Sequence, residues 1–206
     1  MISKELLTSI ENQLSEHLKS QVYLFSSYNT TSTQWLSQHE LDFYNSIAPL
    51  AKKKSWLNSR CALKKGFDSL QINSKILDLK FPSPTCSLTH SKDFSLAAFT
   101  LDNENKGIGV DLEFDRSPKL NGAKFFLTNE ELEAYNHVED LNKKKELYLK
   151  IWTIKEACFK AFPHNKNKRL KDFPLNLDFP SVGLANNSIK YAFIKFDNIF
   201  LSTAIF

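Results

Sequence analysis

Residues 107–115 read GIGVDLEFD. Ile108, Val110, Leu112 and Phe114 are apolar, and Gly109, Asp111, Glu113 and Asp115 between them are small or acidic. A period of two is the signature of a β-strand, with alternate side chains on opposite faces. Residues 94–100 (FSLAAFT) are a second strand-like run, and DNENKG at 102–107 has the composition of a turn. The two runs are expected to pair as a hairpin with one buried face.

Outward from this centre the chain alternates helices with short strands. Ile2, Leu6, Leu7, Ile10, Leu14 and Leu18 recur at helical spacing and predict an amphipathic first helix. A strand is expected at 21–28, and helices at 33–47 and 50–70. The second of these carries Lys52, Lys53, Lys54, Arg60, Lys64 and Lys65. Residues 78–84 hold two prolines and read as loop or edge strand. Thr128 followed by Glu131 is a capping-box pattern, so a helix should start there. A longer helix is expected over 143–162, stopped by Pro163. A basic loop and two closing strands, 191–196 and 199–206, follow. FLSTAIF at the end echoes FSLAAF in the middle, a hint of two related halves.

The chain has 206 residues, 42% of them hydrophobic, with 17 Phe but only 5 Gly and 7 Pro. That composition excludes disordered, collagen-like and low-complexity classes. Three cysteines (Cys61, Cys86, Cys158) without a CxxC exclude a disulfide framework or zinc ribbon and fit a reducing, cytoplasmic setting. No apolar run is long enough to span a membrane. A net charge of +4 suits an anionic ligand or an acidic partner. The basic residues are scattered, without the stripe of interleaved aromatics that nucleic-acid binding needs.

Four sets of residues could carry chemistry. Asp111 and Glu113 leave one face of their strand with Cα atoms about 7 Å apart. They are either the wet face of an antiparallel strand or an oxygen-only pair suited to Mg²⁺. Trp152, Glu156 and Lys160 lie four apart on one helical face. The carboxylate and ammonium are either a plain helix pair or a base and an acid around one substrate. His90, in what reads as a polar turn (Ser87–Ser91), is solvated or faces a phosphate. Arg60, among apolar neighbours, stands out from its basic helix because a guanidinium fork matches phosphate.

In order along the chain, these pieces resemble the 4′-phosphopantetheinyl transferases, most closely the long, monomeric, surfactin-synthetase-activating type. Thr89-His90-Ser91, GIGVDLE (107–113), FFLTNEE (125–131) and WTIKEACFK (152–160) carry the resemblance, with 39 residues from Glu113 to Trp152. It implies an α+β fold of two similar halves, 1–104 and 105–206. Each half would pack helices on a small antiparallel sheet, with the active site in the cleft between them. It implies an enzyme of holo-acyl-carrier-protein synthase type that moves phosphopantetheine from coenzyme A to a serine of an acyl, peptidyl or polyketide carrier protein. Asp111, Glu113 and Glu156 would hold Mg²⁺, or Mn²⁺ in its place. Glu156 and Lys160 would be catalytic. His90, Arg60, Lys52, Thr89 and Lys160 would contact coenzyme A. Lys155 would be a packing or surface residue, and Trp152 would orient its helix. A monomer is expected, with no membrane or nucleic-acid partner. The family's G-K-P loop has no counterpart at 78–85, where Lys80 would substitute in part, and Lys92 stands where glycine is usual. Those departures motivate an alternative: a non-catalytic coenzyme A or carrier-binding module on the same fold.

Overall fold

The computed structural model describes residues 2–73 and 76–206. The fold is α+β, built on two antiparallel sheets with packed helices. β1 (Tyr23–Tyr28), β2 (Cys86–Ser91) and β3 (Phe94–Phe99) form a sheet of order β1-β3-β2. β4 (Ile108–Phe114), β5 (Val182–Ala185), β6 (Ile189–Phe196) and β7 (Ile199–Ile205) form the other, of order β4-β7-β6-β5.

The two halves follow one path: a strand, two helices, then a hairpin whose second strand returns beside the first. Between β1 and β2 run α2 (Gln38–Ser46) and α3 (Leu50–Ser69); between β4 and β6 run α4 (Asn129–Asn136) and α5 (Leu141–Ala161), with β5 as an addition. The likeness extends to single atoms. Ser37 and Glu40 close a capping box on α2, as Thr128 and Glu131 do on α4. In each half a lysine 24 residues after that glutamate reaches its Oε2: Lys64 to Glu40 at 3.4 Å, and Lys155 to Glu131 at 2.7 Å. A carboxylate that caps one helix thus also anchors the next.

The expected hairpin between 94–100 and 108–115 does not form. β3 pairs with β1 and β2, whereas β4 pairs with β7. All six residues of β3 are buried, and β4 is buried on both faces up to Leu112. Each strand is therefore covered on both faces, and the turn between them carries the chain from one sheet to the other. Cys86–Ser91 is also a strand, not a turn. Its polar content misleads because Ser87 and Thr89 spend their hydroxyls across the junction of the sheets. Ser87 Oγ accepts from Val110 N–H at 3.1 Å, and Thr89 Oγ1 from Leu112 N–H at 3.2 Å. The period-two spacing of the hydroxyls matches that of the two N–H groups, so side chains do the work of a strand ladder.

α1 (Lys4–Leu18) starts at Ser3, whose Oγ accepts from Leu6 N–H, and buries Ile10, Leu14 and Leu18. These pack in one cluster with Leu24, Leu96 and Ala98 of the first sheet and Val110, Leu112, Leu201 and Ile205 of the second. The helix thus seals both sheets on one side. α3 covers the other face of the first sheet around Phe67, Ala97 and Phe99. α5 covers the second through Ile151, Ile154 and Ala157. None of the described helices is long and apolar enough to cross a membrane.

α5 lies unusually close to β4. A β-carbon on Gly109 would fall 1.9 Å from the carbonyl oxygen of Ala157, and one on Gly107 1.9 Å from that of Ala161. Glycine is required at both positions because only a strand without side chains there lets the helix backbone rest on it.

The two ion pairs differ in burial: Lys155 and Glu131 side chains are 0% and 1% exposed, whereas Glu40 is 7% and Lys64 31% exposed, so solvent reaches the second pair from the lysine side. Removing one partner of a buried pair strands a charge and costs about 3–5 kcal/mol, against at most about 1 kcal/mol for an exposed one. Lys155→Met should therefore lower unfolding stability by about 3 kcal/mol or more, and Lys64→Met by clearly less, because water can reach the carboxylate that Lys64 leaves. Urea titrations of both variants check this, and equal losses would contradict the reading.

Candidate functional site

The last turns of α5, α3 and the facing edge of the first sheet enclose a cleft of about 390 Å³. It is lined by Ser59 and Arg60 of α3, Phe81 and Pro82, Ser87, Leu88 and His90 of β2, Phe159 and Lys160 of α5, and Asn165. Residues from both halves of the sequence contribute, and three of them, Arg60, His90 and Lys160, are basic.

Two motifs far apart in sequence meet beside it, at Lys160. Lys160 Nζ lies 2.7 Å from Asp111 Oδ1 and donates also to Val110 O at 3.1 Å. Thr89 donates to the same Asp111 oxygen at 3.1 Å. The other carboxylate oxygen, Asp111 Oδ2, is buried without a hydrogen-bond partner. A buried carboxylate oxygen left bare costs free energy unless a cation or water completes it. Glu113, on the same strand face, is held by Arg116 through both oxygens, at 3.1 and 3.2 Å.

Glu156 lies one turn before Lys160 on α5. Burial pushes its carboxyl above the usual carboxylate range; Lys160 draws it back, and the negative charges of Asp111 and Glu113 push it up further. Among the described residues Glu156 makes no hydrogen bond or ion pair, and no three His, Cys, Asp or Glu side chains stand closed in a metal-ligating arrangement. The acids are thus three separate arms: one partly bare, one tied to arginine and one unpartnered. The bare oxygen and the oxygen-only donor set fit a hard divalent cation.

Arg60 sits over the Trp56 ring at 5.5 Å. Burial lowers its pKa, and its Nε is buried without a partner. Lys52, two turns earlier on α3, is exposed and does not line the cleft. Lys155, expected as packing or surface charge, is wholly interior and bonded to Glu131 and Phe173 O. Trp152 is half-buried and meets Phe126 edge-on at 5.2 Å. Ser59, Ser87, Phe81, Asn165 and Arg116 belong to the site although nothing in their local sequence sets them apart. For Ser87 a signal was available, since hydroxyls at i and i+2 (Ser87, Thr89) suit a seam between strands.

A family model described as the 4′-phosphopantetheinyl transferase superfamily matches residues 107–200. The match spans 94 of the chain's 206 residues. The superfamily segment opens on GIGVDLE, contains the whole of α5 and ends in β7, so it supplies Asp111, Glu113, Glu156 and Lys160. Arg60 and His90 lie outside it. A crystal structure of holo-acyl-carrier-protein synthase from Thermotoga maritima is similar at a TM-score of 0.38 and 17% identity. The match covers 48% of this chain and 61% of that one, so the chain spans less than two thirds of that relative's length. A likeness that weak carries no conclusion. No curated protein matches the chain.

The raised carboxyl of Glu156 has a consequence for stability. Its folded pKa lies above the ordinary 4.5, so the folded state binds more protons than the unfolded state between the two values. Its ionisation therefore destabilises the protein as pH rises through that window, and the cost is complete above the folded pKa. Glu156→Gln, which mimics the protonated acid, should melt higher than wild type at pH 7. The advantage should shrink as pH falls towards 4.5. Thermal melts at both pH values measure it, and a variant that melts lower at pH 7 would contradict the assignment.

Proposed function

We propose that the protein is a 4′-phosphopantetheinyl transferase that moves the phosphopantetheine arm of coenzyme A onto a serine hydroxyl of a carrier protein. Adenosine 3′,5′-bisphosphate is the other product. One observation carries this reading: Lys160, which lines one cleft with Arg60 and His90, meets Asp111, 49 residues away in sequence, at 2.7 Å. A polyanion needs such a ring of cations, and phosphoryl transfer depends mainly on positioning and charge neutralisation.

Asp111, Glu113 and Glu156 would hold Mg²⁺, or Mn²⁺ in its place. The ion would neutralise diphosphate oxygens as charge develops on them. Arg60 and His90 would bind the 3′-phosphate, Arg60 with an Nε that no protein group engages. Lys52, exposed on α3 and outside the cleft lining, is not placed with them, and Thr89 would act through Asp111. Glu156, with its raised carboxyl, is poised to take the proton of the attacking serine. The serine oxygen bonds to the pantetheine-bearing phosphorus as the bond to the bridging oxygen breaks. Lys160 then neutralises the leaving phosphate. The protein would act as a monomer in the cytoplasm, since one chain supplies both walls of the cleft.

A non-catalytic coenzyme A or carrier-binding module is the second reading, and the stretch at 78–85 motivates it. Phe81 and Pro82 of that stretch line the cleft where the family's G-K-P loop is expected. The retained acids and Lys160 favour the enzyme.

The test mixes the protein with Mg²⁺, a fluorescent coenzyme A analogue and a panel of apo carrier proteins. Covalent labelling of a carrier is expected, and Asp111→Ala should abolish it. Glu156→Gln should lose at least about 100-fold in turnover while keeping most coenzyme A affinity. Coenzyme A binding without labelling of any carrier would favour the module instead.

His90→Ala and Arg60→Ala should each weaken coenzyme A binding about tenfold or more, the scale of a charge-assisted hydrogen bond, with little effect on 3′-dephospho-coenzyme A. Equal use of the two substrates by the wild type would remove both residues from the 3′-phosphate.

A further inference from the structure

Glu113 is already neutralised by a neighbouring arginine. Arg116 Nε donates to Oε2 at 3.2 Å and Nη2 to Oε1 at 3.1 Å, so each carboxylate oxygen is engaged. The arginine side chain is 44% exposed and the carboxylate 19%, which places the pair at the water boundary. There an ion pair is weak enough to exchange partners. Arg116 also lies beyond the end of β4, so its side chain can turn away without disturbing the strand.

The other two acids are held differently. Asp111 keeps one buried oxygen bare, and Glu156 has no partner among the described residues. Of the three arms, only Glu113 must give up a cation before it can ligate another. Asp111, though paired with Lys160 through Oδ1, keeps Oδ2 open to a cation, whereas Arg116 engages both oxygens of Glu113 and so must move first.

We infer that Arg116 is a resident counter-ion on Glu113 that a divalent cation must displace, and that a bound diphosphate eases the exchange by offering the guanidinium a substitute. The planar fork fits phosphate oxygens as well as it fits a carboxylate. Cation and diphosphate then bind with positive coupling, and the coupling is reciprocal. The cation alone binds weakly, so the site fills only when the substrate is present. This inference rests on the proposed placing of the ion among Asp111, Glu113 and Glu156.

The test is Mn²⁺ binding by the full chain, followed by electron paramagnetic resonance of free Mn²⁺, with and without coenzyme A; it needs no turnover. Wild type should bind Mn²⁺ more tightly with coenzyme A than without. Arg116→Ala should bind Mn²⁺ alone about three- to fivefold more tightly than wild type, the scale of an exposed ion pair. Its enhancement by coenzyme A should shrink by a similar factor. Arg116→Lys, with the charge but not the fork, should fall between the two. An Arg116→Ala protein with wild-type Mn²⁺ affinity and enhancement would overturn the counter-ion role. Glu113→Ala separates the two levels: if it binds Mn²⁺ as wild type does, the ion does not use Glu113, and the metal placement fails together with the inference.

Discussion

The contact between the β4 backbone and the α5 backbone fixes the rest of the site. At Gly109 a β-carbon would collide with Ala157 O at 1.9 Å and with Ala161 N at 2.6 Å, and both are main-chain atoms that cannot swing aside. The face of β4 that turns towards the helix is therefore bare for its first half and acidic for its second. Gly107 and Gly109 seat the helix; Asp111 and Glu113, next on that face, emerge where its last turns pass. Glu156 and Lys160 flank Ala157 and Ala161 on those turns, so seating the alanines brings both charged groups beside Asp111. The buried Lys155–Glu131 pair adds a second anchor, tying α5 to the start of α4 and, through Leu175 N–H, to the following loop. Helix register and site geometry are thus one constraint.

The first sheet is brought to this site without a continuous ladder. Ser87 and Thr89 hold the β4 amides of Val110 and Leu112, and Thr89 also holds Asp111, so one hydroxyl serves both the joint and the site. His90 follows on the same strand and faces the cleft with Arg60. The site concentrates charge where burial makes charge costly: Glu156 is pushed up, Arg60 is pushed down, and Asp111 Oδ2 stands bare. Such groups destabilise the empty protein and are offset by a ligand of opposite charge, a stability–function trade-off expected of a binding site.

Much of this was legible in the sequence. Period two at 108–114, the capping box of Thr128 and Glu131 and the helical spacing at 143–162 come from local chemistry, and local rules placed them; the matching box of Ser37 and Glu40 was not read. The α+β class and two similar halves followed from the order of motifs and the echo of FSLAAF in FLSTAIF. The pairing of the strands was not legible. β3 and β4 are consecutive and both apolar, which predicts a hairpin, yet each belongs to a different sheet. β2 read as a turn because hydroxyls usually seek water or local backbone; here they seek the amides of a strand more than twenty residues away. Arg116 gave no sign, since an Arg three residues after a Glu reads as a surface pair. Lys155 gave a misleading one, because a lysine beside Glu156 suggests solvent rather than complete burial. Long-range partners decide each of these positions, and a local window cannot show them.

The central claim is that three acids on two elements grip one ion. Crystals soaked with Mn²⁺ and coenzyme A, measured at a wavelength where manganese scatters anomalously, test it most directly. The account predicts a single anomalous peak within about 2.5 Å of carboxylate oxygens from Asp111, Glu113 and Glu156, beside the diphosphate. A peak elsewhere, or ordered coenzyme A in the cleft with no peak at these acids, would contradict it.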